Sequence, residues 1–322
     1  MADWRPSATF ARPHRARLNA LLRAFMAERG VLEVETPVLS CGAPLDPGVE
    51  SWRALSPGGA AGYLQTSPEY PMKRLLAAGE GDIYQLARVF RGDEQGARHN
   101  PEFSLLEWYR LGFDDRRLAD EVVELVQTVA AMDHRWLRPQ PEVRWVRYAE
   151  LFAEAFGLDP LACSEQECAA VAAQAGLSIA GDLDCDGWLD ALMSLVLARR
   201  FEPDRLTLIH DYPETQAVLA RPSVEHPGYA LRFELYWGDM ELANGFHELT
   251  DPQVFVSRRN QDIERRRRNG QGVPEADGFF ALAMHAGLPD CAGVALGVDR
   301  LLMRLLGAAR IDEVIDFPWG RA

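Results

Sequence analysis

The chain has 322 residues, of which 48% are hydrophobic and 25% are charged, and its formal net charge is −14 at pH 7. This composition is ordinary for a globular protein with a sizeable core, and no apolar run reaches the ~18 residues of a membrane helix. The acidic balance disfavours a protein that grips a nucleic-acid backbone over a broad surface, because such surfaces are basic.

The first third of the chain predicts a helix, a strand, a long loop and a pair of strands. Apolar residues at helical spacing over 18–26 predict the helix, and Gly30 can end it. Residues 41–62 are rich in Gly, Pro and Ser, which is typical of a loop. Strands are predicted from residue 31 to Pro37, at 83–90 and at 103–111.

The middle of the chain predicts helices. Apolar spacing over 118–129 indicates a long amphipathic helix. Residues 132–205 are alanine-rich and are expected to form a mainly helical insertion. Within this insertion, Ser164 and Glu167 match a helix capping box.

The last third returns to strands. Strands are predicted at 206–210 and 229–249, a helix opening at Asp251 and Pro252, and a Gly-rich strand running into a final helix over 291–307. Neighbouring strands joined by short turns indicate an antiparallel sheet flanked by helices, hence one α+β domain over residues 1–322. Neither a P-loop nor a Rossmann glycine motif occurs.

The cysteine pattern argues against a disulfide framework or a zinc site. The five cysteines are odd in number and contain no Cys-x-x-Cys pair: Cys41, Cys163, Cys168, Cys185 and Cys291. The N-terminus lacks the apolar core of a secretory signal. We therefore expect reduced thiols and a cytoplasmic location.

The densest polar segment is FRGDEQGARHNPEF, residues 90–103, between two predicted strands. Arginine side chains such as Arg91 and Arg98 can clamp phosphate oxygens in a fixed fork. Phe103 offers a flat face on which an adenine could stack. A solvated hairpin tip is the alternative, but it would need only turn residues.

A second segment, FELYWGDMELANGFHEL at 233–249, predicts a hairpin with its turn at residues 238–239. In that register Glu234 and Glu241 share one face of the sheet, which predicts a seat for Mg²⁺. Two exposed surface glutamates are the alternative. Glu248 would face the other side unless a bulge at Asn244-Gly245 resets the strand.

Two further segments are less specific by themselves. GVALGVDRLLMRLLG at 293–307 is a Gly-rich strand entering a helix, which lets backbone approach a ligand, although simple packing would explain it equally well. The basic run at residues 265–268 is expected to be a solvated helix face.

These segments resemble the three sequence motifs of class II lysyl-tRNA synthetases, with HNPEF after an F-R-x-acid as the most specific match. The resemblance implies that Arg91 and Arg300 contact the ATP phosphates and act in catalysis, and that Glu241 binds Mg²⁺, whereas Glu234 is assigned to the metal only by the strand register. One departure is Asp93, where the family usually has Glu. The complete set of implied ATP-binding residues is Arg91, Gly92, Asp93, His99, Asn100, Phe103, Glu241, Leu242, Gly297 and Arg300.

The same resemblance implies an amino-acid site. TSPEY at 66–70 resembles the loop that holds the α-ammonium, and Tyr109 and Glu248 match the residues that bind the side-chain ammonium. Without the family context, a simple turn and a core tyrosine are the alternatives. Lysyl-tRNA synthetases have Gly where this chain has Ala295, so the pocket should differ there. The implied amino-acid-binding residues are Ser67, Pro68, Glu69, Tyr109, Glu248 and Ala295.

VLEVETPVL at 31–39, which contains Pro37, resembles the first of these motifs and lies near the start of the chain. This position, Ala295 and the strings ELANGFHEL and GVALGVDR resemble the elongation factor P (R)-β-lysine ligase family, which lacks the OB-fold anticodon-binding domain. The resemblance implies ATP-dependent activation of (R)-β-lysine or lysine and transfer to a lysine of elongation factor P. It also implies a homodimer through the region around Pro37. A lysyl-adenylate former serving tRNA or a small acceptor is the first alternative, although the acidic chain makes tRNA an unfavourable partner. A non-catalytic regulatory module is the second, but it would be expected to have lost Arg91 or Arg300.

Overall fold

The computed structural model describes residues 5–92, 94–179, 183–217 and 219–322. Eleven strands are found in this part of the chain: β1 Leu32–Glu33, β2 Leu39–Ser40, β3 Arg53–Leu55, β4 Ala61–Leu64, β5 Ile83–Phe90, β6 Glu102–Leu111, β7 Glu142–Arg147, β8 Arg205–Pro213, β9 Tyr229–Trp237, β10 Met240–His247 and β11 Cys291–Gly297. Eight of them form one sheet in the order β1-β5-β6-β11-β10-β9-β8-β7. Its pairings are antiparallel except at the edges, where β1 runs parallel to β5 and β7 parallel to β8. The expected α+β fold with an antiparallel sheet is confirmed.

The helices of the described chain cover the sheet. They are α1 Ala11–Glu28, α2 Glu69–Ala77, α3 Asp115–Met132, α4 Tyr148–Phe156, α5 Glu165–Gln174, α6 Cys185–Leu192, α7 Pro252–Arg268, α8 Gly278–Ala286 and α9 Val298–Leu306. Helices α1, α3 and α9 pack with the sheet into the largest hydrophobic cluster. In the described ranges no helix combines the length and the apolar character that crossing a membrane would need.

The pleat of β6 shows how one strand serves both core and site. Leu106 and Trp108 point into the large cluster, whereas Leu105, Glu107 and Tyr109 line a cavity on the opposite face. Successive side chains of a strand face opposite sides, so hydrophobic packing on one face fixes the orientation of the polar residues on the other.

Several local predictions are confirmed. Strands β5 and β6 pair in the predicted hairpin, and α3 covers the predicted amphipathic segment. Asp251 caps α7, and its side chain accepts from the backbone N–H groups of Gln253 and Val254. Ser164 and Glu167 form the predicted capping box of α5.

The predictions for residues 31–62 were wrong in detail. The expected continuous strand from residue 31 to Pro37 is only the two-residue β1, and β2 begins beyond the proline. Pro37, which has no N–H to donate to a sheet, lies in the gap between β1 and β2. The expected loop contains β3 and the first half of β4, and these two strands join β2 in a separate three-stranded sheet.

The insertion is helical only from α4 onward. Its first part contains β7, which is an edge strand of the main sheet. Helices α4 to α6 then enclose their own hydrophobic cluster, built around residues such as Phe152 and Leu189. The described cysteines are free thiols, and Cys163 and Cys168 bring their sulfur atoms to 3.3 Å of each other.

The prediction that residues 265–268 form a solvated face was wrong for Arg266. Its guanidinium is buried and donates to the carbonyls of Leu45, Val49 and three further acceptors, among them the Glu50 carboxylate at 2.8 Å. Arg267, in contrast, is 65% exposed. Arg266 therefore ties the segment 45–50 to α7.

Replacing Arg266 with alanine should destabilise the protein by about 3 kcal/mol, because several buried acceptors lose their charged donor together. The free energy of unfolding in urea is the measurement, and Arg267→Ala is the control on the same helix. Equal stability of the two variants would contradict the assigned role of Arg266.

Candidate active site

A cavity of about 320 Å³ opens on the face of the sheet opposite the large core. Strands β6, β10 and β11 form its floor, and α2, α7 and the β5–β6 hairpin tip form its walls. Most of the residues implicated by the sequence line it: Ser67, Glu69, Arg91, His99, Asn100, Phe103, Tyr109, Glu241, Leu242, Glu248, Ala295, Gly297 and Arg300. Pro68, Gly92 and Glu234 do not line it, and Asp93 lies outside the described residues.

The hairpin places Arg91 over an aromatic face. Val89 pairs with Phe103 across the two strands, and Arg91 follows directly after β5. The Arg91 guanidinium carbon lies 5.1 Å from the centre of the Phe103 ring, and its Nη1 is 3.1 Å from a Glu94 oxygen. A cation and a flat apolar surface therefore adjoin each other at this end of the cavity.

Arg300 projects from the first turn of α9 and connects three elements. Its Nη1 donates to the Glu241 carbonyl at 3.0 Å and lies 3.4 Å from a Glu241 carboxylate oxygen. Its Nη2 lies 2.7 Å from Nε2 of His99. Burial, followed by the charge of Arg300, lowers the pKa of His99, so the neutral ring can accept this hydrogen bond.

Two residues near the hairpin tip are occupied by contacts within the protein. The Asn100 amide donates to the Glu102 carbonyl at 2.7 Å and accepts from the Trp319 N–H at 2.8 Å. The Gly92 N–H donates to the Glu50 carbonyl at 2.8 Å. These bonds are structural, and the expected ATP contacts of both residues stay predictions.

The two glutamates expected to hold Mg²⁺ differ in their surroundings. Glu241 pairs opposite Tyr236, as predicted, and its side chain is 37% exposed. Glu234 is buried, forms an ion pair with Arg232, and accepts from the hydroxyl groups of Tyr212 and Tyr236. Among the described residues no cluster of three or more metal-binding side chains occurs. Glu241 with nucleotide phosphates could still supply the oxygen ligands that Mg²⁺ prefers, since this ion is usually held by one or two carboxylates.

The bulge of β10 lies at a different position from the one predicted. Its register shifts between Glu241 and Ala243, whereas Asn244 and Gly245 continue the regular pairing. The extra residue brings Glu248, seven positions later, back to the side of Glu241. Gly245 serves packing instead, because a Cβ there would stand 2.6 Å from the Phe233 ring.

The other end of the cavity contains a cluster of charges around Glu248. The Glu248 side chain is completely buried. The ammonium of Lys73 lies 2.5 Å from Glu248 and 2.6 Å from Glu69. Next to them, Glu107 accepts from the Ser67 hydroxyl at 2.6 Å and from the Tyr109 hydroxyl at 2.8 Å. Three carboxylates thus surround one lysine.

Two residues of this cluster, Glu107 and Lys73, were not predicted from the sequence. Glu107 has the same strand parity as Phe103 and Tyr109, so the pleat of β6 could have placed it in the site. Lys73 follows Glu69 by four residues, the spacing at which helix side chains meet. Neither signal is strong without knowledge of which face of each element is covered.

The cluster is electrostatically prepared for a cation. Burial raises the pKa of Glu107 to about 7 and that of Glu248 to about 8. Burial opposes the charge on Lys73, but Glu248 and Glu69 outweigh it and raise the pKa of Lys73. When all three carboxylates are ionised, one lysine leaves two negative charges unbalanced, which suits a ligand that carries ammonium groups.

The floor of this cluster requires glycine at residue 293. A Cβ there would stand 2.3 Å from the Tyr109 ring and 2.4 Å from a Glu248 oxygen. Ala295, two residues along β11, packs instead with Phe103 and Leu105. Its methyl group therefore lies between the aromatic end and the carboxylate end of the cavity.

Comparisons with known proteins agree with this geometry. A family model described as tRNA synthetases class II (D, K and N) matches residues 7–321. Proteins named elongation factor P–(R)-β-lysine ligase are similar over the full length: 43% identity in Yersinia enterocolitica, with 100% of this chain and 99% of the relative covered, and 44% in Klebsiella pneumoniae, with the same coverage. The relative in Vibrio vulnificus is 42% identical, with 99% and 98% covered.

A ligand that carries ammonium groups, tested with lysine, should bind more tightly as the pH rises from about 6 to 9, because protonated carboxyls cannot accept ammonium groups. Glu107 and Glu248 have raised pKa values, so each is protonated below its pKa and gains its charge above it. Below both values the affinity should change at least ~10-fold per pH unit.

Titration calorimetry in buffers of different ionisation enthalpy would measure both affinity and proton release. In Glu248→Gln the affinity for lysine should no longer increase with pH above pH ~7. The same variant should lose far more affinity for lysine than for ATP. A wild-type affinity that does not change with pH would show that these carboxyls do not receive the ligand.

Proposed function

The chain belongs to the class II tRNA synthetase family of the aspartate, lysine and asparagine type, and from this we propose that it is an ATP-dependent ligase that activates (R)-β-lysine and transfers it to elongation factor P. One observation carries the proposal. A single cavity joins two arginines and an aromatic face at one end to a buried cluster of three carboxylates at the other. Such a cavity suits a nucleotide and a dibasic amino acid side by side.

The first step needs positioning and charge neutralisation but no side-chain nucleophile. The amino-acid carboxylate attacks the α-phosphorus of ATP, a new P–O bond forms, and pyrophosphate leaves with the electrons of the broken bond. Arg91 and Arg300 would neutralise the phosphate charge, and Phe103 would orient the adenine. Mg²⁺, held through Glu241, would supply charge neutralisation and polarise the phosphate oxygens.

The carboxylate cluster would select the amino acid. Ser67, Pro68 and Glu69 form the loop at the start of α2 that we propose for the ammonium nearer the carboxylate. Glu248 and Tyr109 would receive the side-chain ammonium. With all three carboxylates ionised, the cluster carries more negative charge than Lys73 balances, which supports a ligand with two ammonium groups.

The second step transfers the activated acyl group to an amine. The names and full-length similarity of the relatives support elongation factor P as the acceptor. Pyrophosphate exchange with a panel of α- and β-amino acids, followed by transfer of labelled amino acid to elongation factor P or to tRNA, tests the proposal. Preferential labelling of tRNA would favour an adenylate-forming enzyme that serves tRNA instead.

We also propose a homodimer and a cytoplasmic location. Leu32, Val38 and Leu39 are 55%, 43% and 53% exposed, and they flank Pro37 in the chain. Exposed apolar side chains this close together in the chain favour a protein contact. This supports a subunit interface through the region around Pro37.

Arg91→Ala should reduce ATP–pyrophosphate exchange by roughly 10²–10³-fold, because a charge-stabilising donor is lost. Arg88→Ala is the matched control, since Arg88 lies on β5, three residues before Arg91, and is 52% exposed. Circular dichroism would verify that both variants fold. Near-normal exchange by folded Arg91→Ala would remove Arg91 from the nucleotide site.

Ala295→Gly should improve the use of α-lysine relative to β-lysine, because the methyl group occupies space between the two ends of the cavity. Discrimination worth about one methylene predicts a change in selectivity between ~10- and ~200-fold. The measurement is kcat/KM for both isomers in wild type and variant. Parallel changes for the two isomers would make Ala295 a packing residue.

A further inference from the structure

The wall of the cavity has a third part, which we call its third arm. It lies between the segment 43–49, the first turn of α2 and helix α7. Asp262 of α7 lines this arm and is only 5% exposed. Within the described ranges its carboxylate has neither a hydrogen bond nor an ion pair. Asp46, also on the wall of this arm, uses one oxygen to accept from the Gly48 N–H at 2.8 Å.

The arginines that influence Asp262 are committed to other partners. Arg258 donates to the carbonyls of Ala217 and Ala220. Arg265 pairs with Asp184 and Asp186, and Arg266 binds the segment 45–50. An unpaired buried carboxylate is costly, so a protein seldom keeps one without a use. Its position on a cavity wall indicates a ligand with positive charge.

The charge environment also suits proton transfer. Burial, followed by the nearby charge of Asp46, raises the pKa of Asp262 to about 7, whereas Arg265, Arg258 and Arg266 oppose the rise. The Tyr70 hydroxyl also lies near these carboxylates and stays protonated, because burial raises its pKa. A carboxyl that titrates near neutral pH can both hold an ammonium and accept its proton.

We propose that Asp262, together with Asp46, forms the subsite for the acceptor lysine, which binds its ε-ammonium and takes its proton before transfer. This inference rests on the function proposed above. The amino-acid substrate does not need this arm, because Glu69, Glu107 and Glu248 lie in the other cluster. The only amine left to place in the reaction is the acceptor's.

In the transfer step, Asp262 receives the proton that the acceptor ammonium must lose. The acceptor ammonium gives one proton to the Asp262 carboxylate and becomes a neutral amine. Its lone pair attacks the carbonyl carbon of the aminoacyl-adenylate, a C–N bond forms, and the C–O bond to phosphate breaks. AMP leaves with that electron pair, and the second amine proton passes to solvent.

The subsite is built on a rigid support. Arg266 follows Asp262 by four residues, so both side chains lie on the same face of α7. Arg266 binds the carbonyls of Leu45, Asp46 and Val49 and thereby holds Asp46 against the helix that carries Asp262. The two carboxylates are therefore kept on facing walls by a buried arginine.

The test separates the two half-reactions in Asp262→Asn. Single-turnover transfer from preformed adenylate to elongation factor P should slow about 10²-fold, the size expected for loss of a proton acceptor. Pyrophosphate exchange should fall far less. Transfer to hydroxylamine, an uncharged nucleophile, should be affected little. Glu264→Gln is the matched control, because Glu264 lies on the same helix and is 60% exposed.

The pH dependence of the transfer rate distinguishes a proton acceptor from a residue that only supports the structure. Wild-type transfer should rise with an apparent pKa near 7, the rise should be absent in Asp262→Asn, and Asp262→Glu should restore part of it. Asp262→Asn should unfold no more easily than wild type at pH ~8, because a carboxyl with a raised pKa destabilises the folded state above that pKa.

Three results would overturn the subsite. They are unchanged transfer in Asp262→Asn, an equal fall in transfer to the protein and to hydroxylamine, and a marked loss of stability in the same variant. If wild type exchanges pyrophosphate but labels no protein amine, the proposed function fails together with the subsite. If wild type labels elongation factor P and Asp262→Asn labels it equally well, only the subsite fails.

Discussion

The ammonium of Lys73 lies between Glu69 and Glu248, out of contact with water, and the amino-acid end of the cavity depends on it. Carboxylates this close repel one another, and the positive charge of Lys73 opposes the rise in the pKa values of Glu107 and Glu248 that burial causes. The ion pair also fastens the first two turns of α2 to the end of β10. It therefore defines both the charge of the pocket and the distance between its walls.

The sheet separates this polar chemistry from the core that supports it. Trp108 is completely buried on one face of β6, while Glu107 and Tyr109 meet the cavity on the other. Close approach of neighbouring groups depends on Gly293 on the cavity side and on Gly245 on the core side, because a Cβ at either position would overlap neighbouring atoms. The same compactness that stabilises the sheet brings the carboxylates within reach of one another.

The two ends of the cavity act through different kinds of support. The cations at the nucleotide end, Arg91 and Arg300, project from a hairpin tip and a helix start, and each is held by a carboxylate. The walls around α7 are held by Arg266, whose buried guanidinium binds a segment of the chain more than two hundred residues away. An enzyme that accelerates ligation by positioning its substrates needs such fixed walls, because small displacements of the reacting groups lower the reaction rate.

The sequence by itself determined the features that depend on neighbours in the chain. The β5–β6 hairpin, the pairing of Glu241 with Tyr236 and the Asp251 cap follow from turn residues, parity and capping rules, and all are found. These are local interactions, and they act within one or two elements.

Only the tertiary structure decided which polar residues are buried together and which strands share a sheet. The edge position of β7, the burial of Arg266 and the partners of Glu234 all depend on segments distant in the chain. Glu107 joins Ser67, and Lys73 joins Glu248, across elements whose packing no local pattern specifies. A charged side chain looks the same in the sequence whether it faces solvent or a buried partner. The physical reason is that burial and pairing are fixed by the packing of the whole chain, and only that packing sets the cost or gain of each charge.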